Sequence, residues 1–187
     1  VRLFAGVDVP TGSRAALDAA VAPLRDRHDR VRWIPACNWH ITLAFLGELT
    51  TAQRLRTRLA LGAAARAATP CDLTLDGTLG RIGDRVLWAH VIHDDALSAL
   101  AAAVRGGLDA AGLTTDPRPF RAHVTLARGR RGRPVPRVGD VGRGTDLPVS
   151  WTVVTLALYA SRRTAAGNRY RPVATWPLAG PGRAGHP

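Results

Sequence analysis

The chain has 187 residues, 46% of them apolar, and a formal net charge of +12. That length suits one domain with its own core, that apolar fraction excludes wholesale disorder, and no apolar run reaches the length of a membrane span. All the basic charge is arginine, whose planar fork suits phosphate oxygens, so a polyanion such as RNA is the first partner class to weigh.

The same composition fits a GC-rich coding bias, and charge alone does not establish nucleic-acid binding. Val1-Arg2-Leu3-Phe4 runs directly into a strand-like pattern with no signal segment, so the expected location is the cytoplasm. Cys37 and Cys71 form neither a disulfide framework nor a metal spacing, and the expectation is two reduced thiols.

Arg2 to Val9 reads as a first strand, with Leu3, Ala5 and Val7 alternating against Phe4 and Gly6. Ser13 to about His28 reads as a helix with Leu17, Ala20, Val21 and Leu24 on one face, although Pro23 argues for an irregularity. Val31 to Ile34 is a short strand ending at Pro35, and a longer strand through His40 to Phe45 ends at Gly47. Thr51 to Ala68 has helical spacing. Cys71 to Leu79 and Arg85 to Ile92 read as strands about a glycine-rich turn. Asp94 or Asp95 can cap a helix to about Ala111, which Gly112 ends. Phe120 to Arg128 is a strand, Gly129 to Asp146 a loop, and Trp151–Ala160 and Arg169–Trp176 a closing strand pair. The domain is expected over 1–179, with a disordered tail over 180–187.

Two of these strands carry one pattern. In Trp39-His40-Ile41-Thr42-Leu43-Ala44-Phe45, residues two apart share a face, so His40 and Thr42 project together. Ala122-His123-Val124-Thr125-Leu126-Ala127-Arg128 repeats the arrangement. One such match is weak, because short matches arise by chance; two in strand context are strong. The bland alternative is two satisfied core histidines. The halves of the chain have similar plans, which predicts an α+β fold of mainly antiparallel sheet, with helices outside and both motifs facing one cleft.

The motif pair His40-Ile41-Thr42-Leu43 and His123-Val124-Thr125-Leu126 resembles the signature of the 2H phosphoesterase superfamily. Arg2-Leu3-Phe4-Ala5, Arg32-Trp33-Ile34-Pro35, Leu158-Tyr159-Ala160-Ser161 and Arg169-Tyr170-Arg171-Pro172 are similar to segments of the RNA 2′,3′-cyclic phosphodiesterases, the LigT-like or former 2′-5′ RNA ligase family. The resemblance runs from near residue 2 to near residue 178. It implies two pseudo-symmetric lobes around a cleft. Two departures stand out: Pro and Gly over Arg130–Gly144 where relatives usually have a helix, and Ala122 where Pro is common.

A 2′,3′-cyclic phosphate opens by in-line attack of water. One group takes a proton from water, and another gives a proton to the departing ribose oxygen. Histidine, with a pKa of about 6.5, does either near neutrality. Thr42 and Thr125 can donate to non-bridging phosphate oxygens, Arg128 can add charge, and this set needs no metal or other cofactor. By resemblance His40 is the proton donor and His123 the proton acceptor, the product is a 2′-phosphate, and the same pair can join a cyclic end to a 5′-hydroxyl in a reversible 2′-5′ ligation. The residues themselves leave the two roles interchangeable. The implied partner is RNA with 2′,3′-cyclic phosphate ends, no membrane is implied, and a monomer is expected.

Three readings compete: hydrolysis of RNA ends, hydrolysis of a small cyclic nucleotide such as ADP-ribose 1″,2″-cyclic phosphate, and a non-catalytic RNA-binding module. Two proton-transfer groups argue against the last. His90 and His93 have a possible ligand spacing without a supporting carboxylate or thiol pattern. Trp33, Trp39, Trp88 and Tyr159 read as core or rim residues, any of which can stack on a base.

Overall fold

The computed structural model describes residues 1–129, 132–137, 149–165 and 167–179. The chain order is β1 (Arg2–Asp8), α1 (Thr11–Arg27), β2 (Arg32–Trp33), a 3-10 turn (Ala36–Asn38), β3 (His40–Glu48) and α2 (Thr51–Ala67). It continues with β4 (Cys71–Ile82), β5 (Val86–His93), α3 (Asp95–Ala110), β6 (His123–Arg128), β7 (Val149–Val153), β8 (Thr155–Thr164) and β9 (Gly167–Pro177).

Local chemistry sets several boundaries. Thr50 and Gln53 form a reciprocal capping box that starts α2. Asp94, not Asp95, caps α3 by accepting from the Leu97 N–H, and Gly112, at φ +73, follows its end. Helix α1 runs through Pro23 without a break. Strand β6 begins at His123, three residues later than the periodicity predicts. Pro119 has no N–H for a ladder, and the Arg121 carbonyl is taken by the His123 ring. The expected strand at Val31–Ile34 shrinks to Arg32–Trp33. The expected tail, 180–187, and most of the expected 129–146 loop lie outside the described residues. Within that loop, Val135 is buried and its N–H donates to the Asp84 carbonyl.

All pairings are antiparallel, in two sheets of order β3-β1-β8-β9 and β2-β6-β5-β4-β7. The sheets are not the two halves of the sequence. The first takes its strands from both ends of the chain, and β2 crosses to the edge of the second. Each motif strand has an antiparallel partner, β1 for β3 and β5 for β6; β3 is the edge of its sheet, whereas β6 is flanked by β2 as well. One apolar cluster joins Val7, Ile41 and Leu43 of the first sheet to Val91, Val124 and Leu126 of the second. Truncating a fully buried leucine here to alanine costs about 2–5 kcal/mol. Strand β3 packs against β6, and α3 packs on β3 as well as β5, so the two motif strands meet at the centre of the molecule.

Candidate active site

The two motif strands share more than sequence. His40, Ile41, Thr42, Leu43 and Ala44 follow the order half-buried, buried, half-buried, buried, buried, and His123 to Ala127 repeat it. The doubled burial is a β-bulge in each strand. Gly6 pairs with Thr42 and Ala5 with Ala44, leaving Leu43 as the extra residue. Trp88 pairs with Thr125 and Leu87 with Ala127, leaving Leu126 as its equivalent.

A bulged residue has an unpaired carbonyl, and a buried one needs a donor. Arg105 of α3 donates its Nε–H to the Leu43 carbonyl at 3.0 Å. The Ile34 N–H donates to the Leu126 carbonyl at 2.8 Å. Each bulge also advances the alternation by one residue. Phe45 and Arg128 are thereby brought to the face that carries the His-Thr pair; strict period-two counting puts them on the opposite one.

Both imidazoles are held in the same way. His40 Nδ1 lies 2.7 Å from the Asn38 carbonyl, and His123 Nδ1 lies 2.8 Å from the Arg121 carbonyl. A carbonyl only accepts, so each Nδ1 carries the hydrogen, and Nε2 is left to exchange a proton. The Thr42 hydroxyl donates to His40 Nε2 at 3.0 Å. In this state the Thr42 hydroxyl occupies His40 Nε2, and it must turn away before it can donate to any other acceptor.

Burial pushes the His40 pKa down to about 4. The Asn38 carbonyl opposes this, and the charges of His123, Arg128 and Arg14 lower it further. His123 is also lowered by burial, against its carbonyl partner, with Arg128 adding to the fall. His123 and Arg128 are therefore in electrostatic reach of His40. Thr125 sits on the His123 face of β6.

Around His40, Phe4 lies 4.6 Å away ring to ring and Tyr170 5.0 Å, while Phe4 stacks on Tyr159 at 5.0 Å. Asp8, opposite His40 in the ladder, is ion-paired with Arg14. A cavity of about 510 Å³ opens beside His40, bounded by Arg14, Cys37, Trp151, Tyr159 and Tyr170 among others. His123, Thr42 and Thr125 are not part of its wall.

In the second sheet, Trp88 stands 5.8 Å from His123, edge to face. The Trp88 ring lies over Gly80, where an added Cβ would come within 2.1 Å of it. His90 bonds Asp76, and His93 bonds the Asp94 carbonyl on the other face of β5. Strand geometry thus sends the two in different directions. Among the described residues, no group of three or more His, Cys, Asp or Glu side chains is placed to hold a metal, and no helix is long and apolar enough to cross a membrane. Cys37 is exposed and Cys71 buried; neither is paired.

Periodicity identified His40, Thr42, His123 and Thr125 and their shared faces. It did not pick out Asn38 or Phe45; Tyr159 reads as a core or rim residue, and Tyr170 enters only through the resemblance. Phe45 carries a signal of its own, since it stands at the position that Arg128 takes in the second motif.

The two motif strands within paired antiparallel sheets define the class of the protein. The chain belongs to the 2′-5′ RNA ligase superfamily, whose family model matches residues 13–165. An RNA 2′,3′-cyclic phosphodiesterase of Geobacillus stearothermophilus is 32% identical over 79% of this chain, which spans about half (48%) of that relative's length. The RNA 2′,3′-cyclic phosphodiesterase of Escherichia coli K12 is 29% identical over 95% of this chain and 96% of its own length. The crystal structure of E. coli LigT complexed with 3′-AMP superposes with a TM-score of 0.76, at 29% identity over 95% of this chain and 97% of the other.

Proposed function

We propose that the protein hydrolyses 2′,3′-cyclic phosphate ends of RNA to 2′-phosphomonoesters by two-histidine acid–base catalysis. The observation that carries this is the matched construction of the motifs: the same bulge, the same burial and the same Nδ1–carbonyl bond. Two imidazoles held through Nδ1, each with Nε2 available once Thr42 releases that of His40, are what an in-line displacement needs at its two ends. The names of the relatives support the choice of substrate.

In the proposed step His123 Nε2 takes a proton from water as its oxygen bonds to phosphorus. The P–O3′ bond breaks, and His40 Nε2 delivers a proton to the leaving 3′ oxygen. Thr42, Thr125 and Arg128 hold the non-bridging oxygens. Burial favours neutral His40 in the free protein, so its proton arrives together with the phosphodiester anion, whose charge opposes that of the imidazolium. The 2′-5′ ligation is the same ring opening with a 5′-hydroxyl in place of water: its oxygen bonds to phosphorus, its proton goes to His123 and the 3′ oxygen leaves with a proton from His40. The reading extends to a monomeric protein acting in the cytoplasm, where reduced Cys37 and Cys71 are at home.

The cavity beside His40 favours a second reading, in which a small cyclic nucleotide is the substrate; its volume suits a mononucleotide. The test is hydrolysis of a cyclic-ended oligonucleotide against ADP-ribose 1″,2″-cyclic phosphate, with products assigned by phosphorus NMR. A 2′-phosphate from the oligonucleotide at the higher kcat/KM supports the first reading. Preference for the small molecule supports the second, and turnover of neither removes both.

A further inference from the structure

Asn38 ends the 3-10 turn before β3 and is 7% exposed. Its backbone carbonyl accepts from His40 Nδ1 at 2.7 Å. Its side-chain Nδ2 donates to the Asn168 carbonyl at 2.7 Å, and its Oδ1 accepts from the Tyr170 N–H at 3.2 Å. The last two partners belong to β9. Strands β3 and β9 are the outer strands of their sheet, with β1 and β8 between them. One buried amide therefore ties one edge of the sheet to the other. The strand it grips also carries the Tyr170 ring, which stands at 84° to the His40 imidazole. The second motif has the same Nδ1–carbonyl bond, but the residue that supplies it, Arg121, is exposed.

We propose that Asn38 is a positioning residue: its clamped side chain fixes the carbonyl that holds His40 as the Nδ1–H tautomer, with Nε2 turned toward the reacting phosphate. The proposal rests on the acid–base reading of His40 given above. The side chain must give one hydrogen bond and accept one at the same reach, which an amide does. A carboxylate only accepts, and alanine does neither. With the clamp released, the turn loses its anchor to β9 and the carbonyl is no longer held at one place. A proton-transfer group displaced by about 1 Å loses about 100-fold in rate. The charged and titratable groups around His40 are His123 and Arg128 of β6, Arg14 of α1, Asp8 of β1, Tyr159 of β8 and Tyr170 of β9. Of these, Tyr170 is bonded to the Asn38 side chain, through its own backbone N–H.

The experiment compares Asn38→Ala and Asn38→Asp with wild type on a cyclic-ended oligonucleotide and follows the His40 ring nitrogens by NMR. Asn38→Ala should lower kcat about 10- to 100-fold, with KM within about threefold. The His40 ring should change from one tautomer to a mixture. Asn38→Asp distinguishes positioning from general bracing, because a protonated carboxyl both donates and accepts. Its kcat relative to wild type should rise as pH falls through the carboxyl titration. The proposal is overturned if folded Asn38→Ala keeps kcat within about twofold and loses only thermal stability, or if KM alone rises. Should Asn38→Ala fail to fold, a pH-independent deficit in Asn38→Asp overturns it equally. If His40→Ala proves as active as wild type, the catalytic reading fails. The NMR readout still decides the clamp, since an unchanged His40 tautomer in the folded Asn38 variants rejects it.

Discussion

Phe45 in β3 and Arg128 in β6 occupy the same place in the two motif strands, each carried onto the His-Thr face by the bulge before it. The equivalence is geometric and the chemistry differs: one lobe offers a cation and the other an exposed aromatic ring, 55% accessible. Arg128 is suited to a phosphate oxygen and Phe45 to a base. Arg128→Ala should lower kcat/KM about 100-fold. Phe45→Ala should raise KM for a cyclic-ended oligonucleotide about 5- to 100-fold, the scale of one stacked base. A cyclic phosphodiester without a base should be indifferent to the Phe45 change. Equal loss on both substrates would show that Phe45 braces the strand instead.

Gly6 is the support of the first bulge. An added Cβ would stand 2.6 Å from the Ile41 carbonyl oxygen, between His40 and Thr42 in the chain. Backbone yields poorly to such a contact. Gly6→Ala should cost about 1–3 kcal/mol of stability, the usual scale of overpacking. It should also lower kcat in the folded protein, because the strand that moves bears His40. Urea unfolding together with kinetics separates the two effects; a full-rate, full-stability variant would mean that the strands do not approach so closely.

The lowered histidine pKa values set a pH window. The proposed acid–base pair works with one proton over its two rings, so kcat/KM should trace a bell. Its rising limb lies near His40's value of about 4 and its falling limb below 6.5, the ordinary histidine value. A bound phosphodiester anion favours the protonated rings, so the bell for kcat should sit at higher pH than that for kcat/KM. A kcat/KM optimum above pH 7 would contradict this.

Stability follows the same group with its own sign. The folded pKa of His40 is below its unfolded value of 6.5, so the contribution is complete above 6.5 and lost as pH falls toward about 4. The loss amounts to up to about 3 kcal/mol. Denaturation midpoints of wild type and His40→Gln should converge over that range, since the variant has no group to charge; parallel curves would remove the assignment.

Hydrolysis of the cyclic phosphate should survive EDTA, because the proposed chemistry uses only proton transfer and hydrogen-bond donors. Loss on chelation with recovery on adding a divalent ion would transfer the chemistry to a metal and bring His90 back into consideration.

The motif strands were legible because alternation is a short-range signal: Ile41 and Val124 face the core, and His40 and His123 therefore face away from it. The bulges were not legible, since Leu43 and Leu126 become extra residues only through their partners, Gly6 and Trp88. Strict alternation consequently puts Phe45 with Ile41 and Leu43, and Arg128 stands out for its charge and its nearness to Thr125 in sequence, not for its face. The sheet order was hidden for a similar reason. Nothing local to β8 and β9 states that they join β1, which is brought beside them by long-range pairing such as Phe4 with Tyr159. Asn38 lies in a turn without periodicity, and its partners are 130 and 132 residues away.

The central claim is that His40 and His123 act as an acid–base pair on one phosphate. The most direct measurement is the rate of His40→Ala and His123→Ala on two cyclic phosphodiesters that differ in leaving-group quality. Each variant should lose about 100-fold or more on the poor leaving group. A good leaving group needs little help from an acid, so it should restore His40→Ala toward wild type and leave His123→Ala impaired. Restoration of His123→Ala instead would reverse the two roles, and near-wild-type rates for both variants on the poor leaving group would contradict the catalytic pair.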